Sequence, residues 1–222
     1  MTTAPQLEWI RPPQQARSRA TLDRLLDAAE VLLGEKAWED VGVADIARRA
    51  GSSVGAFYAR FRDKDALLNT LFERFVAEAQ ATTAGTADLE RWRGFSVSGA
   101  VEAIIGFRVS VHGDRVGLLR AFLLRAVYDR SFQERMERLV RQSNDGFVAL
   151  IISRRREILH PEPAIAAEFA SQMVTNFLQS RVLFYESGDA SGRPWNAERI
   201  TTELTHACLA YLGVFPESPL DM

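Results

Sequence analysis

The segment RRAGSSVGAFYARFRDKDALL, residues 48–68, combines side chains that suit contact with a phosphate backbone. Residues 48–64 hold five Arg or Lys side chains and one acid, Asp63, although the whole chain has a net charge of −2. Clustered cations of this kind attract polyanions such as nucleic acid. On charge alone, the alternative is a set of solvated arginines on a helix surface, without a ligand.

Two glycines in this segment indicate a tight turn followed by close approach to another molecule. Gly51 allows a left-handed backbone angle, so the chain can turn within three residues. Ser53 suits the cap of the next helix, because its hydroxyl can accept a hydrogen bond from a free backbone N–H. Gly55 and Ala56 leave the start of that helix without bulk, so it can reach base edges in a groove about 12 Å wide. These features predict a helix-turn-helix.

The elements around the turn show helical periodicity and almost no alternation typical of strands. Apolar residues three and four apart predict helices over about 16–36, 43–50 and 54–61. A fourth helix is capped by Asp63 and runs to about residue 81. The turn therefore lies between the second and third helices of a small helical domain.

Helix-start signals divide the remainder of the chain. Asp114 is predicted to cap one helix, and Ser131 with Glu134 three residues later forms a capping box for the next. Pro163 suits the first position of a long helix, and Asn196 caps the last one. The predicted fold class is all-α, with about nine helices.

The bulk composition is that of an ordinary globular protein, with 222 residues, 47% hydrophobic and 25% charged. No run approaches the ~18 apolar residues needed to cross a bilayer, so a cytoplasmic location without membrane contact is expected. The single Cys208 excludes an internal disulfide. The histidines lie far apart in sequence, and no metal-site spacing, phosphate loop or nucleophile turn is present. Neither an enzyme nor a metal or other cofactor is predicted.

The motif IARRAGSSVGAFYARFRDKDALL resembles the N-terminal domain of the tetracycline-repressor (TetR/AcrR-type) family of bacterial regulators, from about residue 17 to residue 75. The matching positions are Ala29, Leu32, Leu33, Trp38, Val43, Asp45, Ile46, Ala47, Ala50, Gly51, Ser53, Gly55, Phe57, Tyr58, Phe61, Lys64 and Leu67. Two positions depart from the family. Ala37 replaces a usual glycine, which costs roughly 1 kcal/mol if the backbone is left-handed. Gly42 replaces a usual threonine, so it tolerates the cap geometry but has no side chain for a phosphate contact.

The resemblance implies a homodimeric transcriptional repressor that binds a palindromic operator in double-stranded DNA and is released by a small-molecule effector. It implies a DNA-binding domain over residues 1–62, with 1–15 as a flexible arm, and an effector-binding and dimerisation domain over 63–222. The alternative is a family-like helical regulator that binds a small molecule or a protein and has weak or lost operator recognition. Gly42 is the feature that favours this alternative.

The resemblance also assigns the DNA contacts. Tyr58 and Lys64 are expected to hold phosphate, whereas Arg60 and the start of the third helix read bases. The full set is Arg17, Arg48, Ser52, Ser53, Val54, Gly55, Ala56, Tyr58, Arg60 and Lys64.

Side chains in the middle of the chain are candidates to line a largely apolar effector pocket, although each apolar one has ordinary core packing as its alternative. Arg108 and His112, one helical turn apart, would favour an anionic ligand. The alternative for Arg108 is a surface salt bridge to Glu102. The full set is Phe107, Arg108, Val111, His112, Phe122, Arg125, Met136, Phe147, Met173, Asn176 and Phe177.

The last two predicted helices are apolar on more than one face, which indicates burial both in their own core and against a partner. The alternative is a deep monomer core. Cys208 is interpreted as a core or interface residue rather than a redox sensor. The candidate dimer interface comprises Val174, Leu178, Arg181, Val182, Tyr185, Leu204, Cys208 and Tyr211.

Overall fold

The computed structural model describes residues 16–87, 92–184 and 195–214. Within these ranges the chain forms nine α-helices, which confirms the predicted all-α class. They are α1 (Ala16–Glu35), α2 (Val43–Arg49), α3 (Val54–Tyr58), α4 (Lys64–Ala87), α5 (Val97–Asp114), α6 (Val116–Tyr128), α7 (Arg130–Ile152), α8 (Pro163–Phe184) and α9 (Ala197–Leu212). None of the helices in the described ranges is both long and apolar enough to cross a bilayer.

Packing divides the chain into two units. The first unit is Met1–Ala79 with Gly117–Arg125, and the second is Gln80–Val116 with Ala126–Met222. Both α4 and α6 therefore contribute residues to each unit.

The first unit is held together by a core to which α1, α2, α3, α4 and α6 contribute. The Phe122 ring of α6 lies edge-on to Phe72 of α4, with 5.2 Å between ring centroids, and both side chains are fully buried. Arg74 of α4 donates hydrogen bonds to Asp27 at 2.6 Å and Glu30 at 2.5 Å, which ties α4 to α1. The aromatic contact and these two ion pairs therefore fix α4 against α6 and α1.

The second unit has its own apolar core. Helix α5 packs most extensively against α9, and α7 packs against α8. The buried side chains include Ile105 of α5, Phe147 of α7, Val174 of α8 and Leu204 of α9. A single charged side chain, Arg108, is among the buried residues of the described part of this unit.

Several predicted helix starts are confirmed, most of them by a hydrogen bond at the N-terminal cap. The Ser53 hydroxyl accepts from the Ala56 N–H at 3.0 Å, the Asp63 carboxylate from Ala66 at 2.7 Å, and Asn196 from Arg199 at 2.8 Å. Pro163 is the first residue of α8, as predicted.

Two predicted helix starts are wrong. Asp114 ends α5 and accepts a hydrogen bond from Ser110, whereas α6 begins two residues later. Helix α7 is capped by Asp129, whose carboxylate accepts from the Phe132 N–H at 3.1 Å. Ser131 lies inside that helix and donates to Asp129, because the carboxylate two residues earlier is the stronger acceptor.

Candidate nucleic-acid interface

The turn between α2 and α3 has the geometry that its glycine predicts. Gly51 has a φ of 57°, in the left-handed region. The Ser52 N–H donates to the Ala47 carbonyl at 2.9 Å, which closes the end of α2. Ser53 then caps α3 through its hydroxyl. Local hydrogen bonds thus set the direction in which α3 leaves the turn.

Helix α3 has one anchored face and one open face. The helix ends at Tyr58, short of the predicted residue 61. Phe57 in α3 and Phe61 just after it are completely buried, with 5.3 Å between their ring centroids. On the open face, Val54 is 43% exposed and Tyr58 is 52% exposed. The Tyr58 ring lies at 83° to the Phe57 ring, so the buried ring supports the orientation of the exposed one. Ser53 and Gly55 are also exposed, whereas Ser52 and Ala56 are half-buried.

Asp45 organises the cations at the start of α2. Its carboxylate accepts from Lys36 at 2.8 Å, from Arg48, and from the Gly42 N–H at 3.4 Å. The hydrogen bonds from Lys36, then Arg48 and the Gly42 backbone, lower the pKa of Asp45 to about 2. Arg48 is exposed, and its ion pair with Asp45 holds the guanidinium at the surface of α2. A contact between Arg48 and a phosphate stays a prediction.

The two departures from the family pattern are structurally tolerated. Ala37 has a φ of −64° and an extended backbone, so no left-handed strain arises. Gly42 is also extended, with a φ of −88°, and is the cap residue of α2. The Asp45 carboxylate reaches back to the Gly42 N–H, which replaces part of what a capping side chain would supply.

Lys64 is engaged within its own unit. Its ammonium donates to the Trp38 carbonyl at 2.6 Å and to the Val41 carbonyl at 3.1 Å. The nitrogen also lies 4.6 Å from the centroid of the Trp38 ring. These contacts join the start of α4 to the segment that precedes α2. The third donor of the ammonium faces the Glu39 carbonyl at 3.5 Å, the longest of the three contacts. A phosphate contact by Lys64 stays a prediction, and the ammonium would exchange this weak contact first.

Two further predicted contacts remain to be placed on DNA. Arg60 is half-buried, and its Nη1 donates to the Ala56 carbonyl at 2.9 Å, so the guanidinium folds back along α3. The side chain of Arg17 lies outside the described residues. Base reading by Arg60 and backbone contact by Arg17 stay predictions.

The predicted effector residues fall into both units. Phe122 belongs to the core of the first unit, and Arg125 donates to Asp65 of α4 at 2.7 Å in that same unit. Phe122 therefore takes the core packing that was its stated alternative, whereas the ion pair of Arg125 with Asp65 was not indicated by the helical pattern. The others belong to the second unit: Phe147 is buried, Phe107 and Asn176 are exposed, and Val111, Met136, Met173 and Phe177 are half-buried.

Arg108 is the exception in the core of the second unit. Its side chain is buried, and Nη2 donates to the carbonyl of Ser143 at 2.9 Å. Glu102 is exposed and does not bind it, so the alternative of a surface salt bridge is wrong. His112 lies one turn away, with Nδ1 2.7 Å from the Arg108 carbonyl oxygen. Burial lowers the pKa of His112, which favours its neutral form.

Most of the candidate dimer residues are buried within their own chain and therefore have no surface to offer a partner. They are Val174, Leu178, Val182, Leu204 and Cys208. Helical periodicity marked them as apolar but could not show which apolar face lies inward. Arg181 is half-buried, Tyr211 is 39% exposed, and Tyr185 lies outside the described residues.

Exposed apolar residues on the same helices were missed. Ile165 and Phe169, four residues apart on α8, are 53% and 54% exposed. The Phe169 ring lies 5.0 Å from that of Tyr211 on α9, which in turn lies 5.2 Å from His160. In the sequence, Ile165 and Phe169 are four apart and lie outside the main apolar stripe of α8, which could have indicated a second, exposed apolar face.

Comparisons with known proteins agree with this geometry. Residues 25–71 match the model of the tetR family of bacterial regulatory proteins. An uncharacterized HTH-type transcriptional regulator, YwcC of Bacillus subtilis (strain 168), is 43% identical over 60 residues. That match spans 27% of this chain and 27% of the relative.

Solved structures extend the similarity in fold to most of the chain. Native NalD, the secondary repressor of the MexAB-OprM multidrug efflux pump in Pseudomonas aeruginosa, has 20% identity and a TM-score of 0.59. The alignment covers 88% of this chain and 98% of NalD. The transcriptional regulator FadR from Bacillus subtilis, in complex with stearoyl-CoA, has 14% identity and a TM-score of 0.61, over 85% and 98% of the two chains.

The matched proteins are named as regulators or repressors of transcription. The similarity over the rest of the chain is one of fold, at 14–20% sequence identity to these solved structures. Residues 25–71 therefore match the helix-turn-helix domain of the tetR family of bacterial regulatory proteins.

Proposed function

We propose that this protein is a cytoplasmic transcriptional repressor that binds a palindromic operator as a homodimer and is released by a small-molecule effector. The observation that carries the proposal is the open face of α3. Phe57 and Phe61 anchor the helix, while Val54 and Tyr58 remain exposed beside a capped, uncrowded helix start. In this proposal residues 1–62 bind DNA, and residues 63–222 bind the effector and the second subunit.

The exposed side chains of α3 suit two kinds of DNA contact, one to the phosphate backbone and one to the bases. Tyr58 offers a hydroxyl that can donate to a phosphate oxygen, which positions the helix without reading sequence. Val54 offers methyl groups that can contact the methyl group of thymine in the major groove. Arg48, held beside the turn by Asp45, supplies positive charge for the backbone.

The proposed dimer uses the exposed apolar side chains of α8 and α9. The rings of Phe169, Tyr211 and His160 are in contact, and the exposed Ile165 lies one helical turn before Phe169 on α8. Exposed apolar surface of this kind is typical of an interaction site. The proposed interface therefore consists of these exposed residues rather than of the buried residues of the same two helices.

The effector role rests on the second unit and on its relatives. FadR was solved with stearoyl-CoA bound, and NalD is a repressor of an efflux pump. For this chain, the candidates for contact with an effector are the half-buried Val111, Met136 and Met173, together with Arg108 and His112.

Fluorescence anisotropy with the intergenic DNA beside the protein's own gene tests the proposal. We expect sequence-selective binding, and Tyr58→Ala should weaken it about tenfold or more with little change in salt dependence, because tyrosine is uncharged. Arg48→Ala should reduce the slope of log K against log salt by about 0.9. Tyr128→Ala removes an 88% exposed tyrosine of the second unit and serves as the matched control.

Weak binding that competitor DNA removes, and that Tyr58→Ala does not change, would contradict the proposal. It would favour the alternative, a regulator with weak or lost operator recognition that acts through a small molecule or a protein. Light scattering on the wild type and on Phe169→Asp tests the dimer separately. We expect the variant to be monomeric while α-helical circular dichroism is retained.

A further inference from the structure

A buried guanidinium lies among the helices of the second unit, and the described residues offer it no carboxylate partner. Arg108 of α5 is 8% exposed, and its ring neighbour is Phe147 of α7, 5.2 Å from the guanidinium carbon to the ring centroid. Within the described ranges no carboxylate forms a salt bridge with it. The titratable group that acts on it is the thiol of Cys208, and burial raises the pKa of that thiol to about 12. The thiol is therefore protonated and neutral at physiological pH.

The hydrogen-bond partners of Arg108 are all neutral. Nη2 donates to the carbonyl and hydroxyl oxygens of Ser143 at 2.9 and 3.2 Å. Nη1 makes three longer contacts, to Asn144 Oδ1 at 3.3 Å and to the hydroxyls of Ser171 and Thr175 at 3.4 Å. The Ser171 hydroxyl donates to Asn144 Oδ1 at 2.9 Å. The single proton of the Thr175 hydroxyl has two acceptors in reach, Asn144 Oδ1 at 3.1 Å and the Ser171 carbonyl oxygen at 3.0 Å. Every acceptor around the guanidinium is neutral, so the positive charge is solvated but not neutralised.

An uncompensated charge in an apolar core is unusual, because a buried ion without a counter-charge is destabilising. The same environment strengthens the attraction to any anion that reaches the group. Ser143 and Asn144 are half-buried, so the polar cluster extends from the core to the accessible side of α7. An anion could approach along that side and exchange with their weak contacts.

We propose that Arg108 is the counter-charge for an anionic effector, a carboxylate carried on an apolar body, with Ser143, Asn144, Ser171 and Thr175 as the polar groups around the carboxylate. This inference rests on the proposed function, because it names the class of effector that the second unit takes. Cationic ligands are disfavoured by the same charge. The apolar body is expected from the surroundings, which include Phe147 and Val109 in the core.

Direct binding measurements on the full chain test the charge preference. The probes are straight-chain carboxylates of six to sixteen carbons, on the order of the size of common apolar ligands. Each is compared with the alcohol of the same length by isothermal titration calorimetry. We expect at least one carboxylate to bind about tenfold or more tightly than its alcohol, because a charged hydrogen-bonded pair is formed. Arg108→Gln should abolish that preference, and Arg108→Lys should retain part of it.

Arg135→Gln is the matched control. Its guanidinium also lies over a phenylalanine of α7, 5.0 Å from the Phe132 ring centroid, but the side chain is half-exposed. We expect this variant to keep the preference of the wild type. A loss of preference in both variants would mean that any arginine of α7 or α5 affects binding, and it would overturn the assignment to Arg108.

Asn144→Asp provides a second variant that does not depend on removing Arg108. The substitution is nearly isosteric and places a carboxylate oxygen about where Oδ1 lies, 3.3 Å from Nη1. This internal anion should raise the melting temperature of the ligand-free protein and reduce carboxylate binding about tenfold or more. Unchanged carboxylate binding in this variant would overturn the proposal.

Failure of every carboxylate to bind, or equal binding of acid and alcohol, also overturns it. Neither result touches the operator-binding measurement, which is made without any probe. Loss of the inference and loss of the proposed function are therefore distinguishable. If the protein binds carboxylates but no operator, the proposed repressor function fails while the assignment of Arg108 stands.

Discussion

Replacing Lys64 by methionine tests whether its ammonium stabilises the first unit, holds a DNA phosphate, or does both. The ammonium donates to the Trp38 and Val41 carbonyls, at 2.6 and 3.1 Å, and lies over the Trp38 ring. Methionine keeps an unbranched stem of similar length but removes the charge and all three donors. Both carbonyls would then lose their partner in the half-buried space between the start of α4 and the segment before α2.

The expected loss follows from these contacts. A hydrogen bond from a charged donor contributes about 1.5–3 kcal/mol, and the half-buried position favours the lower end for each of the two. The cation–π contact adds about 0.5 kcal/mol, while water replaces part of the loss at the exposed side. We expect the free energy of opening of the first unit to fall by about 2–3 kcal/mol, a factor of roughly 30 to 150 in amide exchange.

Amide hydrogen exchange by mass spectrometry is the suitable assay, because it reports the first unit without requiring that the whole chain unfold in one step. The peptides of interest are those that cover residues 25–71. Arg62→Met is the control, since it removes a cation two residues away that is 79% exposed and paired only at the surface with Asp63. Its effect should stay within about 0.5 kcal/mol.

One result would refute the reasoning about Lys64. It is a change in opening free energy below about 0.5 kcal/mol, together with weaker operator binding and a salt slope smaller by about 0.9. The ammonium would then serve phosphate rather than the carbonyls. Loss of stability without a change in salt slope would assign Lys64 to the internal contacts alone.

Three further outcomes follow from the described contacts. A methyl group on Gly117 of α6 would overlap the Leu33 carbonyl oxygen, so Gly117→Ala should destabilise the first unit by about 2 kcal/mol or more in urea unfolding. Gly34→Ala, where a methyl group meets nothing within 4 Å, should not destabilise it. Because the pKa of Asp45 is lowered to about 2, its stabilising contribution should be complete above about pH 4 and fade as the pH falls toward 2. Asp45→Asn should remove that part of the acid dependence in thermal unfolding. Burial raises the pKa of Cys208 to about 12, so a thiol reagent at pH 8 should react with it only after unfolding.

Local signals predicted the helices well, because they depend on residues close together in the chain. The caps at Ser53, Asp63 and Asn196 each use a side chain within three residues of the N–H that it accepts from. The error at α7 arose where two acceptors, Asp129 and Ser131, compete for the same helix start. Sequence spacing does not rank such competitors, whereas charge on the acceptor does.

Tertiary features were predicted less well, for a physical reason. An apolar stripe shows that Val174 and Leu204 are buried but not whether a neighbour in the same chain or in a second copy buries them. Arg108 was singled out by its type, yet its partners come from residues 35 to 67 positions away. Its lack of a carboxylate could be seen only once α5, α7 and α8 were brought together.

The first unit is discontinuous in the chain, because it includes Gly117–Arg125 as well as the N-terminal segment. A fragment that stops at Ala79 lacks Phe122 and would leave the buried face of Phe72 uncovered. The N-terminal segment of the first unit is therefore not expected to fold without residues 117–125. A chimaera that transplants it onto another sensor must also carry residues 117–125, or a segment of matching shape, from further along the chain. Exchange of sensors at a single crossover after α4 would separate residues that fold together.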